Sequence, residues 1–326
     1  MKHGLTSLDM LLFMLAILVL PAPVGAQSYP VRPIRLIVPF PPGGTADIAA
    51  RTVAQKVGER LGQQVVVDNR GGGNTVIGTD MAAKASPDGY TLVSVPFNYG
   101  VNPSFYEKLP YDPAKDLKAV ALLGLSPNFL LVHPAVPARS VKELIALAAA
   151  NPGKLNYATG GEASSNHLAT ELFKLAAHVD VVHIPYKGAA SAVTALMSGE
   201  VTLLFVAVSS VIAQIQAGRL RALAVASNER SPALPNVPTM AEAGVPNVEV
   251  SAWHGVMAPN GTSRQVILKL NAEIARALRL PDVIERFTAV GFEPRGGTPE
   301  DFDRFIKSEI EKWAVVIRRA KISPGS

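Results

Sequence analysis

The chain has no cysteine, few aromatic residues (6%), few charged ones (17%) and no apolar run long enough to span a bilayer. Each absence excludes something. Without cysteine there is no disulfide framework of the kind a small extracellular scaffold needs, no thiolate metal site and no residue to carry an N-terminal lipid. The longest apolar run, Met10 to Leu20, has 11 residues, well short of the roughly 20 of a membrane-spanning helix. The formal net charge is +5, but lysine and arginine are scattered, with no basic run and no interleaved aromatic motif. That distribution argues for a generally basic surface, mildly favourable to anionic ligands, and against a nucleic-acid partner. Hydrophobic content of 48% excludes a disordered chain.

The N-terminus sets the compartment. Lys2 and His3 make a short basic start, the apolar run follows, and Pro21 to Ala26 ends with Val24 and Ala26, small residues placed where a signal peptidase reads them. This pattern predicts a signal peptide over residues 1–26, cleaved after Ala26, and a soluble periplasmic protein without a lipid anchor. The 300 residues then left of 326 exceed one ordinary domain and suit two lobes.

Short apolar, β-branched runs alternate with helical patterns. Ile34–Val38, Val65–Val67, Thr91–Val95, Leu130–Val132, Val179–Ile184, Val201–Val208 and Leu220–Ala226 read as buried strands. Asp47–Leu61, Val141–Ala150, Asn166–Ala177 and Ala189–Ser198 read as helices. The alternation predicts an α/β fold of mostly parallel sheets covered by helices. Near the C-terminus, Thr298 and Pro299 start a helix whose apolar stripe runs from Phe302 through Trp313 to Ile317, a packed surface helix. Proline-rich stretches at 127–137 and 232–246 mark where the chain leaves one lobe and returns. The expected division is a discontinuous first lobe of residues 27–125 and 227–326, with a second lobe of residues 126–226.

Two loop-to-helix junctions stand out. In Pro39–Asp47 (PFPPGGTAD) a buried strand ends, prolines and glycines expose the backbone, and Gly44 or Thr45 caps a helix. Ala158–Leu168 (ATGGEASSNHL) repeats the design, with Gly160 and Gly161 flexible and Ser164 or Ser165 as the cap. Bare backbone and unpaired first-turn N–H groups make an anion site, and both junctions follow strand C-termini, where open α/β sheets bind ligands. Ser164, Ser165 and His167 also raise a hydrolase reading. However, there is no G-x-S-x-G elbow, and residues two or three apart at a helix start do not face each other as nucleophile and base. Gly71–Asn74 (GGGN) lacks both the dinucleotide spacing and the P-loop lysine. His178 and His183 lack metal-ligand spacing and a third ligand.

Several stretches together resemble the tripartite tricarboxylate transporter receptor (Bug) family: YPVRPIRLIVPFPPGGTAD from Tyr29, SPDGYTLV from Ser86, YDPAKDL from Tyr111, SVKELIALAAANPGKLNYA from Ser140, HIPYKGAASA from His183, AGRLRALAVAS from Ala217 and LPNVPTMAEAGVP from Leu234. The resemblance implies a two-lobed flytrap fold with the second lobe inserted in the first. It also implies small carboxylate ligands held by backbone N–H groups, hydroxyls and water at the two junctions, and membrane permease subunits as partners, with a sensing role as the alternative. The candidate ligand-binding set is Phe40, Gly43, Gly44, Thr45, Asp47, Phe97, Gly160, Ser164, Ser165 and His167. A monomer without catalytic residues, cofactor or metal is expected. Many relatives carry an acid in the stretch where this chain has Thr202 and Val206, and His254 replaces the usual aromatic after Trp253.

Overall fold

The computed structural model describes residues 29–208 and 211–324. The expected signal peptide lies outside them. The chain divides into two units at Val31/Arg32, and the fold below is that of the second.

Ten strands carry the fold: β1 (Ile34–Val38), β2 (Val65–Asn69), β3 (Thr91–Pro96), β4 (Leu117–Val132), β5 (Asn156–Thr159), β6 (Val182–Pro185), β7 (Leu203–Ala207), β8 (Arg221–Val225), β9 (Ser251–Pro259) and β10 (Glu293–Pro294). Their order is β2-β1-β3-β9-β4-β7-β5-β6, with β8 and β10 also paired to β4. The long β4 pairs with β9 as far as Pro127, and from Asn128 onward with β7 and β8. One strand therefore belongs to two sheets. Pairings β1–β2, β1–β3, β5–β6 and β5–β7 are parallel. Those of β9 with β3, and of β4 with β7, β8, β9 and β10, are antiparallel. The expectation of mostly parallel sheets is thus corrected to mixed ones. A parallel pair needs a crossover connection, and the crossover helices serve only the outer strands. At the centre β4 and β9 run extended from one sheet towards the other.

Helices Thr45–Leu61, Val141–Ala150, Ser165–Ala177 and Ala189–Met197 lie where the apolar spacing places them. Helices Val76–Ala83 and Asn98–Phe105 were not legible, being one or two turns long and interrupted by Gly78, Gly100 and Pro103. β4 was read only in its last residues because Gly124 and Pro127 look like breaks. The expected strand at Val179 starts only at Val182.

The C-terminal helix Pro299–Ala320 begins with a reciprocal cap: Thr298 Oγ1 accepts from the Asp301 N–H at 3.1 Å, and Asp301 Oδ2 accepts from the Thr298 N–H at 3.0 Å. Its apolar face buries Phe302, Ile306, Trp313 and Val316, each fully buried large side chain contributing roughly 1.5–3 kcal/mol. Trp253 and Trp313 donate their indole N–H groups to one oxygen of buried Glu309, at 3.0 and 2.9 Å. A continuous apolar core joins Val93 and Trp253 in one sheet to Leu130 and Tyr157 in the other and to Phe173 on helix Ser165–Ala177.

Candidate functional site

At the first junction β1 ends at Val38, and helix Thr45–Leu61 starts from Gly44, an extended N-cap with no side chain to bond the first turn. The N–H groups of Thr45, Ala46 and Asp47 have no partner within the helix by geometry, and no cap replaces it. Gly43 has φ +88°, a region in which a side chain is strained. Its N–H donates to Asp47 Oδ2 at 3.0 Å. Asp47 is only 3% exposed and also accepts from Arg51 Nε at 3.0 Å and Asn69 Nδ2 at 2.9 Å. Burial raises its carboxyl pKa, but these hydrogen bonds and the Arg51 charge outweigh burial and hold it below the ordinary value. Asp47 is therefore engaged by the protein. The half-buried Phe40 ring meets the His254 ring edge-on at 6.1 Å. His254 is buried, its Nδ1 has no hydrogen-bond partner among the described residues, and burial pushes its pKa down to about 4.

The second junction is built differently. Ser164 caps helix Ser165–Ala177: its Oγ accepts from the His167 N–H at 3.4 Å and donates to the Gly161 carbonyl at 2.6 Å. Side chains also take the loop amides. Gly160 N–H donates to Asn166 Oδ1 at 3.4 Å, Gly161 N–H to Thr159 Oγ1 at 3.4 Å, and Ala163 N–H to His167 Nδ1 at 3.2 Å. A Cβ on Gly160 would stand 2.7 Å from the Ala189 nitrogen, so only glycine fits. What remains for a ligand is the N–H groups of Ser165 and Asn166 and the half-buried Ser165 hydroxyl, which makes no hydrogen bond among the described residues.

This geometry disposes of the hydrolase reading. Ser164 meets the backbone of His167, while the ring nitrogen Nδ1 is occupied by Ala163, so no serine–imidazole pair is assembled. Burial holds the His167 pKa down to about 3, which leaves the ring neutral.

Phe97 does not join the others. It is 3% exposed and packs edge-on against Trp313 at 5.0 Å, so its expected place beside a ligand gives way to a core position. Val206 is likewise core, and Thr202 Oγ1 donates to Asn156 Oδ1 at 3.0 Å. Sequence reasoning missed Asn69, His183 and His254 as neighbours of the junctions and gave no role to Thr159 and Asn166 within the second. Only His254 carried a signal, as the departure after Trp253.

A surface cavity of about 640 Å³ opens elsewhere, lined among others by Pro127, Ala226, Arg230, Glu293 and Lys312. The basic groups lining it are already paired, Arg230 with Glu242, Arg295 with Glu293 and Lys312 with Glu309. The uncapped helix start lies at the first junction instead. Among the described residues no cluster of histidine and acidic side chains is arranged to hold a metal ion, and no helix is long and apolar enough to cross a membrane.

A family model described as tripartite tricarboxylate transporter family receptor matches residues 49–322. Protein BugT of Bordetella pertussis is 44% identical over 301 residues, which are 91% of this chain and 92% of that protein. Rpa4515 of R. palustris, solved with adipate, is similar at 37% identity and TM-score 0.79, over 90% of this chain and 99% of its own. MatC of Rhodopseudomonas palustris, solved with bound malate, is similar at 32% identity and TM-score 0.75, over 89% and 100%.

Proposed function

This chain belongs to the tripartite tricarboxylate transporter receptor family and has its two-lobed flytrap fold, and from that premise we propose that it captures a small organic dicarboxylate between the two junctions for delivery to a membrane permease. The family is one of binding receptors rather than enzymes. The observation that carries the proposal is the uncapped start of helix Thr45–Leu61. Three adjacent N–H groups at the positive end of a helix form a carboxylate cradle, and no side chain among the described residues caps it. The second junction closes from the other lobe with the Ser165 hydroxyl and the N–H groups of Ser165 and Asn166. Adipate and malate in the two solved relatives support a ligand with two carboxylates.

The lobes we assign are residues 27–125 with 227–326, and 126–226. Supporting this division, β4 changes partners between Pro127 and Asn128, and β8 ends at Val225.

The ligand preference follows from Asp47. An α-amino acid brings an ammonium that needs an acceptor once buried, and Asp47 already accepts from three donors. Calorimetry with adipate, malate and the matched pair succinate and aspartate tests the proposal. One-to-one binding of a plain dicarboxylate, tighter for succinate than for aspartate, is expected. Failure of all four to bind would contradict the reading. Tighter aspartate binding would move the ammonium contact to Glu162 beside the second junction.

A further inference from the structure

His167 and His183 form a structure that neither capping nor core packing explains. His183 lies on β6 directly opposite Tyr157 on β5, so the two side chains share one face of the sheet and stack at 5.0 Å and 20°. His167, from the first turn of helix Ser165–Ala177, lies on His183 at 4.2 Å and 14°. The result is a cluster of three rings behind the second junction, in which Tyr157 and His167 also meet, at 6.2 Å. Its underside is anchored: the Tyr157 hydroxyl donates to Glu171 at 2.6 Å, and Lys174 to the same oxygen at 2.7 Å.

Both imidazoles reach the loop that precedes the helix. His167 Nδ1 accepts from the Ala163 N–H, and His183 Nε2 shares a 2.7 Å hydrogen bond with Thr159 Oγ1, which in turn accepts from the Gly161 N–H. Gly161 and Ala163 are the loop residues with positive φ, +134° and +53°. An alanine in that region is uncommon and needs its surroundings to hold it. The His167 ring thus bonds Ala163, the strained residue of the loop, directly, and the His183 ring reaches Gly161 through Thr159.

We propose that the stacked His167–His183 pair is a positioning device: it fixes the shape of the Gly160–Ala163 loop, and with it the direction in which the Ser165 hydroxyl and the first-turn N–H groups meet the ligand, without touching the ligand itself. His167 thereby moves from the expected ligand contacts to the residues that aim them. The inference rests on the reading of the second junction as a ligand contact. It requires an acceptor at Nδ1 and therefore an uncharged ring. The charged groups around the pair are Lys174, Glu171 and Glu162, and burial in their midst keeps His167 neutral at physiological pH.

The test compares His167→Leu with His167→Asn, whose side-chain oxygen can stand where Nδ1 stands. Amide hydrogen exchange at Ala163 is read without ligand, and affinity for adipate and malate by calorimetry. The leucine variant is expected to lose at least tenfold in Ala163 protection and at least tenfold in affinity, and the asparagine variant to recover both. His183→Phe keeps the stack but removes the Thr159 bond, and is expected to lose protection at Gly161 alone. Unchanged Ala163 protection in His167→Leu, or no recovery in His167→Asn, overturns the proposal. If the unmodified protein binds neither acid, the proposed function fails, while the exchange measurement still decides the role of the pair in the loop.

Discussion

The first junction leaves its helix start uncapped and the second caps its own. At Gly44 the helix cap has no side chain, and at Ser164 it has one that bonds in both directions. The contrast extends to the imidazole beside each: His254 near the first has an unpartnered Nδ1, while His167 in the second gives its Nδ1 to Ala163. A capped helix start is a structural feature; an uncapped one, beside glycines that admit close approach, is a place for someone else's carboxylate. In the proposed function the first junction holds the ligand's charge, and the second orients it with few, well-fixed groups.

The largest effect is expected from giving the first junction the cap it lacks. Gly44 is extended and a Cβ there meets nothing within 4 Å, so Gly44→Asn places an amide oxygen over the first-turn N–H groups without strain. Stability should rise by a few tenths of a kcal/mol, while affinity for a dicarboxylate falls roughly 100-fold, about 2.7 kcal/mol. Thermal melting and calorimetry on the same sample read both; affinity unchanged by the cap would break the comparison. A smaller loss is expected at the second junction, where Ser165→Ala removes one hydroxyl bond to an anion, roughly tenfold in Kd. Ser164→Ala should act oppositely, costing about 1 kcal/mol of stability by urea unfolding with little change in affinity.

Acid sharpens the same contrast. His167 and His254 have folded pKa values of about 3 and about 4 against an ordinary 6.5. The unfolded chain thus binds protons that the folded one refuses. Their contribution is complete above pH 6.5 and is lost as pH falls from 6.5 towards 4 for His254 and towards 3 for His167, by up to ~1.4 kcal/mol per pH unit for each histidine. His254→Phe should flatten part of this slope and raise the melting temperature more at pH 5 than at pH 8. An equal rise at both pH values would show that His254 is protonated as easily folded as unfolded.

The sequence shows the two junctions because glycine, proline and capping residues act locally, over a few positions. It shows most outer strands and four long helices for the same reason: periodicity survives in one element. The mixed sheets were hidden because pairing depends on β4 and β9 meeting across more than a hundred residues. The difference between the junctions was hidden too. Whether a loop amide is open depends on side chains such as Asn166, Thr159 and His167 folding back on it, and motifs alike in glycine content do not reveal that. Phe97 fell to the opposite error: an aromatic at a strand end resembled a cleft wall until Trp313, far along the chain, covered it.

The central claim is that the open amides of Thr45, Ala46 and Asp47 bind the ligand carboxylate. Backbone amide NMR shifts followed during titration with adipate or malate test it most directly. The account predicts the largest shifts at these three residues, with smaller ones at Ser165 and Asn166. Shifts centred instead on Ser227–Arg230 and Glu293–Arg295, with Thr45–Asp47 unmoved, would place the ligand in the charged cavity and contradict it.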